Sequence, residues 1–421
     1  MMETVLTAIV FAPGLIFLGL ALCWLLGWVP PERLIARLTC GVFSLMVAAT
    51  AWLVAMMASL GESSVRVSMG EWFRAGSYYF PLAILADELS LPMMVLTTVL
   101  AGIVGGFSVR YLHREPGFFR FFLLLHLFVF GALMLFAAGS YDLLLFGWEL
   151  VGVSSVLLIA FFDERPEPVR NAIRVFATYR IADLGLLVAI FVLHHDGTTL
   201  FAGMFPGDWP EQSMRLSSGG GMLAGFLLLM AASGKSAQGP FSGWLPRAME
   251  GPTPSSSIFY GAISIHAGAF LLLRSEPIIS SSPAVSMATI GLGLATAFLG
   301  TAANRVASDA KTSIAYAAMA QVGVIFIEIG LGYPQLALLH LLGHAVVRTL
   351  QLLRAPSTLH DFHRLHAAGG GALMKTGEHY ELLPVRMRLW LYRFGLQQGF
   401  YDAWLDRLVI QPVMRLSRFL T

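Results

Sequence analysis

GKSAQGPFSGWLPRAMEGPTPSSS, residues 234–257, decides how the rest of the chain is read. Lys235 follows the run LLLM at 227–230, which reads as the interior of an apolar helix. The helix breakers Gly239, Pro240 and Pro246 come directly after it. A charge in hydrocarbon is costly, and a helix broken there leaves main-chain groups unpaired. Either the stretch is a surface loop, or the charge and the break are part of the machinery.

The composition around it points to a bilayer. Of 421 residues, 57% are hydrophobic and 12% charged, whereas soluble domains carry about 25% charged residues. The net charge of +2 is spread over loops and tail, with no basic face interleaved with aromatics, so nucleic acid is not expected as a partner. Cys23 and Cys40 fall in or beside apolar runs without CxxC spacing, which supports neither a disulfide framework nor a metal site. The segment 4–29 lacks a basic leader and is long enough to span, so it reads as a retained first helix.

With about 20 apolar residues needed per crossing, about eleven spans are expected. They fall near 4–29, 38–60, 86–109, 118–138, 141–162, 169–195, 219–236, 254–273, 285–303, 309–332 and 334–353. Two connections are long: 61–80, with WFRAGSYY, and 196–218. When the loops are numbered alternately, one side collects Arg33, Arg37, Arg110, Arg114, Arg120, Arg165, Arg170, Arg174, Arg247, Arg305 and the tail. The other collects Arg66, Arg74, Arg215 and Arg274. The positive-inside rule then places the amino terminus outside and the carboxyl terminus in the cytoplasm.

The chain divides into a transmembrane part at 1–354, a polar, glycine-rich cytoplasmic linker at 355–383, and a tail at 384–421. The tail mixes aromatics with Arg386, Arg388, Arg393, Arg407, Arg415 and Arg418 at helical spacing. It reads as amphipathic helices lying on the inner membrane surface or on a partner.

Ionisable residues inside spans default to functional hypotheses. Glu149 lies in YDLLLFGWELVG, Arg180 and Asp183 in ATYRIADLG, and His266 in IFYGAISIHAGAFLLL. Lys311 opens KTSIAYAAMAQVGVIFIEIG, which also carries Glu328. His340, His344 and Arg348 lie four residues apart in LLHLLGHAVVRTLQLL and so share a helical face. Plainer readings stand beside these: Arg180 with Asp183 as a structural ion pair, His266 satisfied by a carbonyl, Glu328 snorkelling. Together the groups suit proton movement, because burial and neighbours bring carboxylates, lysines and histidines toward the working range. A Glu149–Lys235 pair would be a gate whose proton affinity depends on its separation. The break beside Lys235 would supply flexible geometry and main-chain groups able to hold water.

YDLLLFGWELVGVSSVLLIAFF (141–162), ATYRIADLG (177–185), GKSAQGPFSGWLPRAMEGPTP (234–254), DAKTSIAYAAMAQVG (309–323) and HLLGHAVVRTL (340–350) resemble consecutive signatures of one family. It is that of the antiporter-like subunits of respiratory complex I and Mrp antiporters. The resemblance runs in order from about residue 80 to 353. It implies an all-α membrane fold with a broken seventh helix. By position it assigns proton relay to Glu149 of the fifth helix, Lys235 of the broken seventh, Lys311 of the tenth, and His340 and His344 of the eleventh; His266 is read as a further proton-transfer group, and Arg180, Asp183 and Arg348 as supporting charges. Tyr260 stands where relatives often have histidine, and Arg348 where lysine is common. The family fold continues to a second broken helix, whereas here the sequence passes from the eleventh helix into a polar linker, so a truncated second repeat is expected.

A shorter branch of the family is the membrane partner in DAB-type inorganic carbon uptake systems, and TLQLLRAPSTLHDFH (349–363) resembles it. That resemblance implies a bacterial inner-membrane subunit coupling the proton gradient to carbon dioxide or bicarbonate uptake. Its partner would be a large, cytoplasmic, zinc-containing protein similar to β-carbonic anhydrase. The alternatives are a proton-pumping subunit of a redox complex and a non-conducting anchor. With no GxGxxG fingerprint and no cysteine cluster, no cofactor and no catalytic chemistry are expected in this chain, and zinc is expected in the partner.

Overall fold

The computed structural model describes residues 1–400 apart from 77, 196, 198, 213–217 and 369–381, together with 403, 404, 407 and 415. The apolar runs form the helices α1 (Met2–Leu25), α2 (Glu32–Leu60), α3 (Ser90–Tyr111), α4 (Phe118–Phe136), α5 (Tyr141–Ile159) and α6 (Pro166–His195). The broken seventh element follows as α7 (Ser218–Lys235) and the short α8 (Trp244–Arg247). Then come α9 (Thr253–Arg274), α10 (Pro283–Asn304), α11 (Ala310–Gly330), α12 (Pro334–Ala368) and, in the tail, α13 (Val385–Leu396). Among the described residues ten helices are long and apolar enough to cross a membrane, and Gly220–Lys235 is a shorter apolar helix beside them. The chain is a multi-pass membrane protein, and each of the eleven expected spans has a helix in its place.

Helix ends follow local chemistry. Gly61, with φ of 67°, closes α2 in the left-handed conformation that favours glycine. Ser140 accepts from the Leu143 N–H at 3.2 Å to start α5, and Asp309 accepts from Thr312 N–H at 2.9 Å to start α11. Neighbouring helices approach through small residues, as membrane helices do. A Cβ on Gly234 of α7 would lie 2.0 Å from the Ala182 Cβ of α6, and one on Gly268 of α9 would lie 2.2 Å from the Ala232 carbonyl of α7.

Two features depart from the sequence reading. The stretch 61–80, read as a loop, joins the residues after it in an antiparallel hairpin of β1 (Val65–Ala75) and β2 (Tyr78–Ala86). Its alternation is masked by register shifts between Ser68 and Glu71 and between Glu71 and Arg74. The hairpin covers one face of the bundle, with Leu85 N–H donating to Ala137 O at 2.7 Å and Gly139 N–H to Ala83 O at 2.8 Å. The boundary expected at 354 falls inside α12, which continues to Ala368. Residues 369–381 of the expected linker, and most of 401–421, lie outside the described residues.

Through helix alternation the amino terminus, the hairpin and the loops at 275–282 and 331–333 share one face. The loops at 26–31, 112–117, 160–165 and 305–309 share the other with the tail. On the hairpin face Arg274 is fully buried and makes two hydrogen bonds to Asp87, at 2.6 and 2.9 Å. The tail helix α13 packs on the chain itself: Phe394 lies 5.6 Å from Phe298 of α10, centroid to centroid. Gly395 of α13 sits so close to α10 that a Cβ there would meet the Ala302 carbonyl at 2.6 Å.

Candidate functional site

Lys235 is the last residue of α7 and is fully buried midway along α5. Its Nζ donates to the Trp148 carbonyl at 3.0 Å and lies 4.9 Å from the Trp148 ring centroid and 4.5 Å from that of Tyr179. Aromatic faces attract a cation, so an aromatic box holds the ammonium, with no direct carboxylate contact among the described residues. Glycine at 152 leaves room for it: a Cβ there would stand 2.9 Å from Nζ.

Glu149 pairs with Arg180 rather than with Lys235. Arg180 Nη2 contacts Glu149 Oε2 at 2.5 Å and donates to Asp183 Oδ2 at 2.8 Å. Asp183 also accepts from the Trp148 indole at 2.6 Å. The direct Glu149–Lys235 pair expected from sequence is replaced by a cluster in which Arg180 joins two carboxylates and Trp148 joins Asp183 to Lys235. Arg180 and Asp183 are indeed an ion pair, but they belong to the lysine's surroundings.

The break keeps its main-chain groups satisfied, as apolar surroundings demand. Trp244 of α8 donates its indole N–H to Gly234 O at 2.8 Å, and the Gly239 N–H donates to Thr296 Oγ1 at 2.9 Å. Ser236 donates to Ile265 O at 2.6 Å, tying the break to α9. Pro240 lies in the turn between α7 and α8, and Pro246 inside α8. Two buried hydroxyl oxygens nearby, Tyr179 Oη and Ser264 Oγ, and the amide oxygen of Gln238 make no hydrogen bond of normal geometry among the described residues. Such groups are normally paired, with ordered water where protein is absent.

Ser264 begins the regular turn of α9 that carries His266; the preceding Ser256–Ile263 is a π-helix, which no sequence pattern announced. His266 Nδ1 bonds the Ala262 carbonyl, and its Nε2 lies 2.8 Å from His344 Nδ1. Arg348 Nε donates to His344 Nε2 at 3.0 Å. These contacts fix the tautomers. A guanidinium only donates, so His344 Nε2 accepts and its Nδ1 carries the hydrogen given to His266 Nε2; His266 then holds its hydrogen on Nδ1, facing Ala262 O. Arg348, His344 and His266 thus form a hydrogen-bond chain of one polarity. His340 stands one turn away, its ring centroid 6.3 Å from that of His344.

The structure brings together Glu149, Arg180, Asp183 and Lys235 in one cluster and His266, His340, His344 and Arg348 in another. Lys311 joins neither. It sits at the start of α11 and donates to Gly251 O at 3.1 Å and Met249 O at 3.4 Å, bracing the chain between α8 and α9. The sequence reading passed over Trp148, Tyr179 and Gln321. All three lie within the quoted motifs, the first two beside Glu149 and Arg180, but nothing local shows that those two face Lys235 or that Gln321 faces His340.

Comparison with known proteins matches these elements to one group. The profile of the family described as NADH:quinone oxidoreductase/Mrp antiporter, TM, matches residues 138–382, more than half of the chain. That described as NADH-Ubiquinone oxidoreductase (complex I), chain 5 N-terminus, matches residues 72–122. NADH-ubiquinone oxidoreductase chain 5 of Schizophyllum commune is 35% identical over 70% of this chain and 43% of its own length. NADH-quinone oxidoreductase subunit L of Campylobacter jejuni is 34% identical over 79% of this chain and 55% of its own. The chain spans about half the length of these curated relatives. A chain in the structure of the Mrp complex from Dietzia sp. DQ12-45-1b superposes with a TM-score of 0.69 at 26% identity, covering 84% of this chain and 37% of that one.

Proposed function

Because the chain belongs to the NADH:quinone oxidoreductase/Mrp antiporter family of membrane subunits, we propose that it conducts protons as one subunit of a larger membrane complex. The observation that carries this reading is the succession of buried and half-buried ionisable groups from Glu149, with Arg180 and Asp183, and Lys235 to His266, His344 and His340 across α5, α6, α7, α9 and α12. Lys235 holds a proton against Trp148 O and two aromatic faces. A shift of Arg180 between Glu149 and Asp183 would change the negative charge facing Lys235, and with it the ease of releasing that proton. Tyr179 Oη beside Lys235 and Ser264 Oγ, two residues before His266, supply hydroxyls for a water-assisted transfer. In the row, His344 points its Nδ1 hydrogen at His266 Nε2; for that proton to pass on, Arg348 must swing off His344 Nε2 so that this nitrogen takes up a proton in its place, since guanidinium does not release its own. The arginine-poor hairpin face would be the outer one.

The relatives' names support a redox or Mrp-type assembly as the setting. Coupling to inorganic carbon uptake, with a zinc-containing β-carbonic-anhydrase-like partner, is the narrower alternative, favoured only by TLQLLRAPSTLHDFH at 349–363. Co-purification from native membranes separates the two by what accompanies the chain.

Proton flux by the purified complex in liposomes tests the conduction reading. Lys235→Ala should abolish flux while the subunit still inserts and assembles, because removing a buried charge relieves its desolvation cost. Lys235→Arg should fail as well, since guanidinium does not release its proton. Wild-type flux through the arginine variant would overturn the relay.

A further inference from the structure

Glu328 lies in the last turn of α11, two residues before that helix ends at Gly330, and so close enough to the hairpin face to reach water. A snorkelling glutamate would place its carboxylate at the surface. Glu328 instead turns inward, with 15% of its side chain exposed. Its Oε1 lies 2.9 Å from His340 Nδ1, while its Oε2 is buried without a hydrogen-bond partner among the described residues. The other ring nitrogen of His340, Nε2, lies 3.1 Å from Gln321 Oε1.

This arrangement has two states that differ by one proton. With the Gln321 amide oxygen toward the ring, both ring nitrogens face acceptors and the imidazole carries both hydrogens. With the amide turned over, its NH2 donates to Nε2 and the ring is neutral, giving its Nδ1 hydrogen to the carboxylate. No charged group from α10 competes there: Gly293 of that helix packs on Ile327, and Ile290 on Gly330. Only a three-residue turn, 331–333, separates α11 from α12, and its Leu331 and Tyr333 are 54% and 58% exposed.

We propose that Glu328 is the proton-exchange group that ends the histidine row at the hairpin face. A proton on His340 Nδ1 passes to Glu328 Oε1, leaving a neutral imidazole and a neutral carboxylic acid. Release of that proton from the carboxyl to water restores the carboxylate, and uptake runs the same steps in reverse. This assignment rests on the proton-conduction reading, and its test separates the two.

The complete complex is reconstituted in liposomes with wild-type chain, Glu328→Gln, Glu328→Asp and Lys235→Ala. Glu328→Gln, which keeps the shape and one acceptor but cannot carry a proton, should lower flux by about 100-fold, the usual scale of a lost acid–base group. Glu328→Asp should keep measurable flux. Infrared difference spectra across a pH step should show a protonated-carboxyl band in the wild type that shifts in Glu328→Asp and vanishes in Glu328→Gln. If Glu328→Gln conducts like the wild type while Lys235→Ala does not, the exit assignment falls and proton conduction stands. If both variants conduct like the wild type, both fall. If Glu328→Gln does not assemble, the band decides: one that Glu328→Asp leaves unmoved overturns the proposal.

Discussion

Lys235 Nζ donates to the main-chain carbonyl of Trp148 at 3.0 Å and at the same time lies 4.9 Å from the centroid of that residue's indole. One residue therefore satisfies the lysine through its backbone and holds its charge through its ring. The indole N–H of Trp148 bonds Asp183 at 2.6 Å, so the lysine, the tryptophan and the carboxylate form a single unit. The position of the ammonium is set by steric room as much as by charge, and this gives the first prediction.

Gly152→Ala places a methyl where a Cβ would stand 2.9 Å from Lys235 Nζ. The ammonium must give way by several tenths of an ångström and weaken its hydrogen bond to the Trp148 carbonyl, a charge-assisted bond of a kind worth about 1.5–3 kcal/mol. Proton flux by the reconstituted complex should fall by about tenfold or more, the rate equivalent of 1.4 kcal/mol. Assembly should be unchanged. Undiminished flux would show that Lys235 does not depend on this contact.

The Asp87–Arg274 pair should make stability depend on acid. Burial pushes the Asp87 carboxyl up, but the Arg274 charge and hydrogen bonds, with those from Ser90, outweigh it and hold the group at about 2. The folded value lies below the unfolded one, near 3.9. Its stabilisation, about 2 kcal/mol, is therefore complete above about pH 4 and is lost as the pH falls toward 2. Thermal unfolding of the purified protein should show this drop, and Asp87→Asn should lack it. At neutral pH the same substitution leaves Arg274 buried without its counter-charge and should cost about 3–5 kcal/mol. A neutral-pH melting point equal to the wild type would refute the pair's role.

Close approach of α6 and α7 is predicted to hinge on Gly234 and Ala182. Gly234→Ala sets two Cβ atoms at 2.0 Å, which no side-chain rotation relieves. Overpacking of this kind costs about 1–3 kcal/mol or more. Folded yield and melting temperature should drop. Adding Ala182→Gly removes the opposing methyl and should recover most of the loss, a coupling that a double-mutant cycle reads directly. Independent, additive effects would mean that the helices separate elsewhere.

Much was legible in one dimension. The spans could be read because crossing a bilayer demands a contiguous apolar run, and that demand is written residue by residue. The break at Gly239, Pro240 and Pro246 could be read for the same reason, since it interrupts such a run. The quoted strings around Glu149, Arg180, Lys235, Lys311 and His340 were enough to suggest the family, which the profile over residues 138–382 shows. The hairpin was missed because register shifts spoil its alternation, and the π-helix at Ser256–Ile263 because widening a helical turn changes hydrogen bonding without changing composition.

Partner choice was decided only in three dimensions. Lys235 meets Trp148 across 87 residues of chain, Glu149 takes Arg180, Lys311 braces carbonyls away from the histidines, and Glu328 turns inward to His340. Sequence determined which ionisable groups enter the membrane, because each one interrupts an apolar pattern. Tertiary structure decided which of them touch, because a hydrogen bond depends on angstrom-scale approach between helices, and small residues such as Gly152 and Gly234 set that approach from positions far away in the chain.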